Sequence, residues 1–207
     1  MLMTKVKICG LRTPDDIGYV NQLKPDYAGF VFAPGKRQIS LLLAIRMRVR
    51  LAPQIQAVGV FVNEPLETVA ALCRQRIIDI VQLHGDEDAS YISRLKEKTS
   101  APIIRAVRVQ NKDQILEAEQ LPCDYLLLDT FVEGQYGGSG KQFDPSLIPE
   151  QLQKPYFLAG GLDEQNVCDI LSRCRPFGVD VSSGVETDGC KDFDKISRFL
   201  AAVRQST

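Results

Sequence analysis

Two residues of the 207-residue chain carry groups that could exchange protons with a substrate, and each stands at the end of a short apolar run. Cys9 follows the run at 6–8, and Asp129 follows three leucines at 126–128. A thiol and a carboxyl group that approach a substrate from different sides can act as base and acid. Each residue also has an unreactive interpretation, since a buried cysteine can be inert packing and an aspartate can simply end a strand.

Small residues follow two later apolar runs, which is typical of loops that hold an anion. Gly160 and Gly161 follow one run, and Ser182, Ser183 and Gly184 follow the next. Backbone N–H groups can face a phosphate at such places, and the loops after the last two strands of a (β/α)8 barrel frequently do so. The alternative is a pair of tight strand-to-helix turns that hold no ligand.

Three further segments supply groups that could hold a substrate. Arg37 could clamp a carboxylate with its forked guanidinium group, or it could be a solvated surface side chain. His84 ends another apolar run, where it could donate to a substrate or only cap the strand, and the sequence favours the cap. The segment 133–141 has four glycines around a serine, which predicts a mobile lid or a close approach of backbone to ligand, with a plain surface loop as the alternative.

These groups can meet only if the fold brings the ends of their apolar runs together. Eight such runs, each short and bounded by polar or turn residues, predict buried β-strands. Amphipathic stretches between them predict helices, and Thr13 and Asp163 are typical helix starts. The strands are centred near residues 7, 30, 59, 81, 104, 127, 157 and 179, and the clearest helices are expected at 41–51, 66–72, 91–95 and 193–203.

The regular alternation of strands and helices predicts an α/β fold with parallel strands and right-handed crossovers. Eight units in 207 residues indicate a minimal (β/α)8 TIM barrel, which we expect to occupy residues 1–207 as a single domain. The alternative is an open doubly wound sheet, although no GxGxxG fingerprint follows the first strand. In a barrel, all of the candidate residues above would lie at the carboxyl ends of the strands.

The composition excludes several classes of function. Lysine and arginine number 25 against 26 acidic residues, so the net charge of −1 offers no excess positive field for a nucleic acid. No apolar run is long enough to cross a membrane, and no signal peptide is recognisable, which favours the cytoplasm. Six cysteines without a CxxC pair favour free thiols, and a single histidine disfavours a metal site. The sequence leaves monomer and homodimer open.

Eight short motifs occur in order along nearly the whole chain. They occupy residues 6–11, 29–32, 58–63, 81–85, 128–130, 137–141, 159–162 with 166–167, and 179–186. Together they resemble the phosphoribosylanthranilate isomerase family of tryptophan biosynthesis. One departure lies in the loop after the second strand, where Gly35 takes the place of the serine that usually precedes the basic pair, and the loop is a residue short.

The resemblance implies an Amadori rearrangement of N-(5-phosphoribosyl)anthranilate to 1-(2-carboxyphenylamino)-1-deoxyribulose 5-phosphate, without a cofactor. Asp129 would protonate the ring oxygen as general acid, and Cys9 would remove the C2 proton as general base. Arg37 would hold the anthranilate carboxylate, and the two small-residue loops would hold the phosphate. A related isomerase of histidine biosynthesis is an alternative, but it typically has an aspartate at the first strand. A non-catalytic barrel that binds a sugar phosphate is another, and the intact Cys9–Asp129 pair argues against it.

A base at Cys9 needs a nearby cation, because a free thiol has a pKa of about 8.5 and is mostly protonated at neutral pH. Lys7 shares the strand parity of Cys9, so both side chains are expected to point into the barrel. In a closed barrel the first strand lies beside the eighth, where Asp180 shares the inward parity of Ser182. We therefore predict a buried ion pair between Lys7 and Asp180 close to Cys9.

Overall fold

Eight parallel strands close into a barrel in the computed structural model, which describes residues 3–130 and 143–206. Each strand pairs with the next one along the chain, and the eighth pairs with the first to close the ring. The predicted (β/α)8 barrel is therefore confirmed, and the open sheet is excluded. The strands are β1 (Lys5–Cys9), β2 (Tyr27–Val31), β3 (Gln56–Phe61), β4 (Ile80–Leu83), β5 (Ile103–Val109), β6 (Tyr125–Thr130), β7 (Tyr156–Leu158) and β8 (Gly178–Val181).

An α-helix follows each strand except β6, after which the described residues form only a 3₁₀ turn (Pro145–Leu147). The four helical stretches predicted from periodicity coincide with four of these helices. In the described part of the chain, no helix is long and apolar enough to cross a membrane. A hairpin of two short strands, β9 (Glu186–Thr187) and β10 (Cys190–Lys191), precedes the last helix. The helices are α1 (Pro14–Leu23), α2 (Leu41–Arg50), α3 (Leu66–Arg74), α4 (Ala89–Lys98), α5 (Lys112–Glu119), α6 (Val167–Arg173) and α7 (Phe193–Gln205).

Of the two predicted helix starts, one is confirmed by a side-chain cap. Thr13 and Asp16 form a capping box at the start of α1, because each side chain accepts a hydrogen bond from the backbone N–H of the other. The predicted helix start at Asp163 is wrong, since α6 begins only at Val167. The Asp163 carboxylate instead accepts hydrogen bonds from the backbone N–H groups of Gln165 and Asn166, in the turn that leads into α6. Such local bonds favour a turn over a helix.

The barrel interior changes from apolar to polar along its axis. Aromatic rings fill the end where the strands begin, and the ring centroid of Phe157 lies 5.5 Å from that of Tyr27 and 5.9 Å from that of Tyr125. Nearer the carboxyl ends of the strands, the inward-facing residues include Lys7 and Gln82, both fully buried. This polar layer forms the floor of the region where the candidate residues lie.

Candidate active site

A cavity of about 550 Å³ opens at the carboxyl ends of the barrel strands, a size that suits a small organic ligand. Lys7 is fully buried beneath this cavity, and Gly184 packs its backbone against the carbonyl of Leu162 behind the wall. A second cavity, of about 390 Å³ beside β5 and α5, contains none of the predicted site residues. The predicted residues on the wall of the first cavity are Cys9, Arg37, His84, Asp129, Gly160, Gly161, Asp180, Ser182 and Ser183.

The thiol of Cys9 lies at the end of β1, against the backbone of β2. Gly29 makes room for it there, because a Cβ atom at this position would come within 2.8 Å of Cys9 Sγ. Burial raises the pKa of the Cys9 thiol, and this effect outweighs the opposing influence of the cations Lys7 and Lys191. The cation predicted near Cys9 is therefore present, but burial keeps the sulfur protonated.

The predicted ion pair between Lys7 and Asp180 is confirmed. The two residues stand opposite each other in the β1–β8 register, with Lys7 Nζ 2.9 Å from Asp180 Oδ2 and side chains 0% and 9% exposed. Burial alone would lower the pKa of Lys7, but Asp180 and Cys9 together raise it, so the ammonium group stays charged. The second oxygen of Asp180 is buried and has no hydrogen-bond partner among the described residues.

His84 and Asp129 meet across the cavity, which corrects the interpretation of the histidine as a strand cap. His84 Nε2 lies 3.6 Å from Asp129 Oδ2, too far for a hydrogen bond. The Nδ1 atom of His84 lies 3.0 Å from the amide nitrogen of Gln82. Side chains two residues apart on a strand share a face, so the inward position of Gln82 also directs the imidazole inward.

Arg37 reaches the cavity from the loop after β2, but its guanidinium group already has a partner. It forms a two-pronged bond to Glu186, with Nε to Oε1 at 2.8 Å and Nη2 to Oε2 at 2.7 Å. The ammonium group of Lys191 lies 2.8 Å from the same carboxylate. Although burial raises the pKa of Glu186, the two cations outweigh that effect and lower it. Burial lowers the pKa of Lys191 despite this pairing.

The loops after β7 and β8 bring small residues to one side of the cavity. Gly160 and Gly161 have φ angles of +91° and +64°, and a Cβ atom at Gly160 would overlap Thr130. The hydroxyl of Ser182 donates to the carbonyl of Cys9 at 3.0 Å, so its contribution to an anion would come from its backbone N–H. A single turn of 3₁₀-helix begins at Ser183. The glycine-rich segment 133–141, predicted as a lid, lies outside the described residues.

Three residues of this site are absent from the candidate set derived from the sequence. Gln82 is a polar residue inside a buried apolar strand, and that anomaly is a signal that could have found it. Glu186 and Lys191 lie on the two strands of the β9–β10 hairpin. Each strand has only two residues and is too short to show a hydrophobic period. Their pairing with Arg37 could be seen only once the hairpin was placed against the loop after β2.

Comparison with known proteins gives one consistent result. The family model described as N-(5'phosphoribosyl)anthranilate (PRA) isomerase matches residues 6–202. The N-(5'-phosphoribosyl)anthranilate isomerase of Lachnoclostridium phytofermentans is 52% identical over 210 residues, which cover 96% of each chain. The crystal structure of phosphoribosyl anthranilate isomerase from Thermotoga maritima is 38% identical with a TM-score of 0.89, covering 98% of this chain and 100% of that one.

A further solved structure shows a phosphoribosyl anthranilate isomerase in complex with reduced 1-(o-carboxyphenylamino)-1-deoxyribulose 5-phosphate. It is 34% identical to this chain, with a TM-score of 0.82, and the match covers 98% of this chain and 100% of that one. The molecule bound to that relative combines a carboxylate, a phosphate and an open sugar chain.

Proposed function

The chain belongs to the N-(5'-phosphoribosyl)anthranilate isomerase family, and we propose that Cys9 and Asp129 carry out the proton transfers of its reaction. The enzyme converts N-(5-phosphoribosyl)anthranilate to 1-(2-carboxyphenylamino)-1-deoxyribulose 5-phosphate, an isomerisation in tryptophan biosynthesis. The family match decides against the histidine-pathway isomerase and the non-catalytic barrel. The observation that carries the assignment of the two residues is that β1 and β6, which are not neighbours, present a thiol and a carboxyl group to the same cavity.

In the first step, Asp129 gives its proton to the ring oxygen of the substrate. The bond from that oxygen to C1 breaks, and the lone pair of the anthranilate nitrogen forms a Schiff base with C1. Cys9, as thiolate, then removes the proton from C2. The electrons of that bond form the C1–C2 double bond of an enolamine, and the second electron pair of the C1–N bond returns to the nitrogen. The enolamine becomes the ketone as C1 gains a proton and the C2 hydroxyl loses one, so the net reaction is an isomerisation.

The raised pKa of the Cys9 thiol bears on the order of these steps. A positive charge within a few ångströms favours a thiolate, and ring opening creates a cationic Schiff base in the cavity. The same step leaves Asp129 as a carboxylate, so the Schiff base favours the thiolate only where it lies nearer to the sulfur than Asp129 does. We infer that Cys9 becomes a base only after Asp129 has acted and the cation has formed beside it. A thiol that stays protonated until then is also protected from oxidation, since the thiolate is the reactive form.

The charged ends of the substrate fit the remaining groups of the site. We propose that Arg37 holds the anthranilate carboxylate through its Nη1 edge, because Nε and Nη2 are bonded to Glu186. The loops with Gly160, Gly161, Ser182, Ser183 and Gly184 would hold the phosphate through backbone N–H groups, as in many barrels of this type. We also propose that residues 1–207 form one domain that works in the cytoplasm, which the free state of all six cysteines supports.

The test is turnover of freshly prepared phosphoribosylanthranilate, followed as the loss of substrate fluorescence. We expect Cys9→Ala and Asp129→Asn each to lower turnover by at least about 10²–10⁴-fold with little change in binding, the range for losing a general acid or base. Cys168→Ala removes an exposed thiol outside the cavity and serves as the matched control. Near-normal turnover in Cys9→Ala would show that another group is the base.

A further inference from the structure

Gln82 links the floor of the cavity to the histidine beside Asp129. It stands on β4, 1% exposed, and its carbonyl oxygen Oε1 accepts a hydrogen bond from Lys7 Nζ at 2.8 Å. On its other side, its amide nitrogen lies 3.0 Å from His84 Nδ1. The three side chains come from two strands and form one continuous line of polar contacts that leads from the Lys7–Asp180 ion pair to the cavity wall.

The contact with Lys7 fixes the orientation of the Gln82 side-chain amide. An ammonium group has only donors, so the atom that faces it at 2.8 Å must be the oxygen of the amide. The reverse orientation would place an NH₂ group against a fully buried cation, so that two donors would face each other with no acceptor between them, a costly arrangement inside a protein. The orientation of the amide therefore follows from the donor inventory alone.

With the oxygen turned to Lys7, the Gln82 amide presents its NH₂ group to His84. The Nδ1 atom can then only accept, so it carries no proton, and the single proton of the ring is on Nε2. That nitrogen lies on the side of Asp129, 3.6 Å from its Oδ2 atom. An imidazolium would instead bring an Nδ1–H against the amide N–H groups, where no acceptor meets it.

We propose that Gln82 is a positioning residue that holds His84 as the neutral Nε2–H tautomer beside Asp129. The functional consequence rests on the role of Asp129 proposed above. A protonated histidine at this distance would favour the carboxylate form of Asp129, as an opposite charge within a few ångströms does. Asp129 would then have no proton to give. A neutral histidine leaves the acid able to keep its proton, and its buried Nε2–H group has no hydrogen-bond partner among the described residues.

The tautomer can be observed directly, because His84 is the only histidine of the chain. Long-range ¹H–¹⁵N correlation of the ¹⁵N-labelled protein, without substrate and at neutral pH, shows which ring nitrogen carries the proton. We expect one bare nitrogen, Nδ1, and one protonated nitrogen, Nε2. A wild-type spectrum with a protonated Nδ1, whether in the other tautomer or in the imidazolium, would overturn the proposal.

Two substitutions separate the positioning role from a structural one. Gln82→Glu keeps an oxygen for Lys7 but offers a second oxygen to His84, so Nδ1 should become protonated. Gln82→Met keeps the size and removes the amide, so the proton should distribute between both nitrogens. Gln75→Glu adds the same charge at an exposed position at the end of α3 and should leave the spectrum unchanged. An unchanged histidine spectrum in a folded Gln82→Glu or Gln82→Met variant would refute the inference.

The kinetic consequence is measured with the same fluorescence assay. We expect Gln82→Glu to lower kcat by at least about tenfold and to change KM less, because it acts on the proton of Asp129 rather than on substrate binding. An unchanged kcat in a variant whose Nδ1 is protonated would refute the link to Asp129. The tautomer readout uses no substrate, so it stands whether or not the Cys9→Ala and Asp129→Asn tests support the proposed function.

Discussion

Replacement of Lys7 by methionine tests how the buried ion pair contributes to stability. The substitution keeps the length of the side chain but removes the cation 2.9 Å from Asp180, which is 9% exposed. Breaking a buried pair from one side costs about 3–5 kcal/mol, since the other charge stays buried without a partner. The change also removes the donor that Gln82 accepts from, for which about 1–3 kcal/mol is typical. We therefore expect the free energy of unfolding to fall by about 4 kcal/mol or more.

The assay is urea unfolding, read as a shift of the midpoint at an unchanged slope. Asp180→Leu should also destabilise the protein, but the double variant Lys7→Met/Asp180→Leu should be more stable than either single variant, because no buried charge remains. The unpaired oxygen of Gln82 should keep it about 1–3 kcal/mol below the wild type.

The matched control for this prediction is an ion pair on the surface. Lys96 lies 2.8 Å from Asp124 with both side chains 38% exposed, so Lys96→Met should cost less than about 1 kcal/mol. The reasoning would be refuted if each single variant at the buried pair lowered the free energy of unfolding by less than about 1 kcal/mol and the double variant lowered it by the sum of the two.

Four further predictions concern the mouth of the cavity. Arg37→Ala should raise KM for phosphoribosylanthranilate much more than it lowers kcat, in steady-state assays. Because burial raises the pKa of Cys9, its alkylation by iodoacetamide should be slow at neutral pH and accelerate at alkaline pH, as peptide mass spectrometry can follow. Glu186→Gln should accelerate alkylation of Cys9 at neutral pH, since it leaves two nearby cations uncompensated. Gly160→Ala, at a φ of +91°, should weaken competitive inhibition by inorganic phosphate at least tenfold.

The sequence predicts the frame of the site well because strand parity and barrel closure are simple geometric rules. The inward parity of Lys7 and the adjacency of the first and last strands suffice to place Asp180 beside it. The same parity, applied from Gln82 to His84, would have turned the imidazole into the cavity, whereas the end of a strand alone favoured a cap. Asp163 shows where a local pattern fails, because an aspartate that caps a turn has the same sequence pattern as one that begins a helix.

The partner of Arg37 could not be derived from the sequence for a different reason. Glu186 is separated from it by 149 residues, and the β9–β10 hairpin that presents Glu186 consists of two strands of two residues each. The Asp188–Gly189 pair, with φ angles of 51° and 75°, is a typical hairpin turn, but no hydrophobic period marks strands this short. Long-range pairing between side chains of loops depends on how the loops fold over the barrel, and the sequence contains no local trace of it.

The ion pairs of the two buried lysines explain why these cations near Cys9 do not make it a thiolate. Each buried lysine brings its own carboxylate, Asp180 for Lys7 and Glu186 for Lys191, at 2.9 and 2.8 Å. A carboxylate makes a buried ammonium group tolerable, but it also cancels most of the field that the ammonium group exerts on the sulfur. The cost of burial then prevails, and the pKa of the thiol rises.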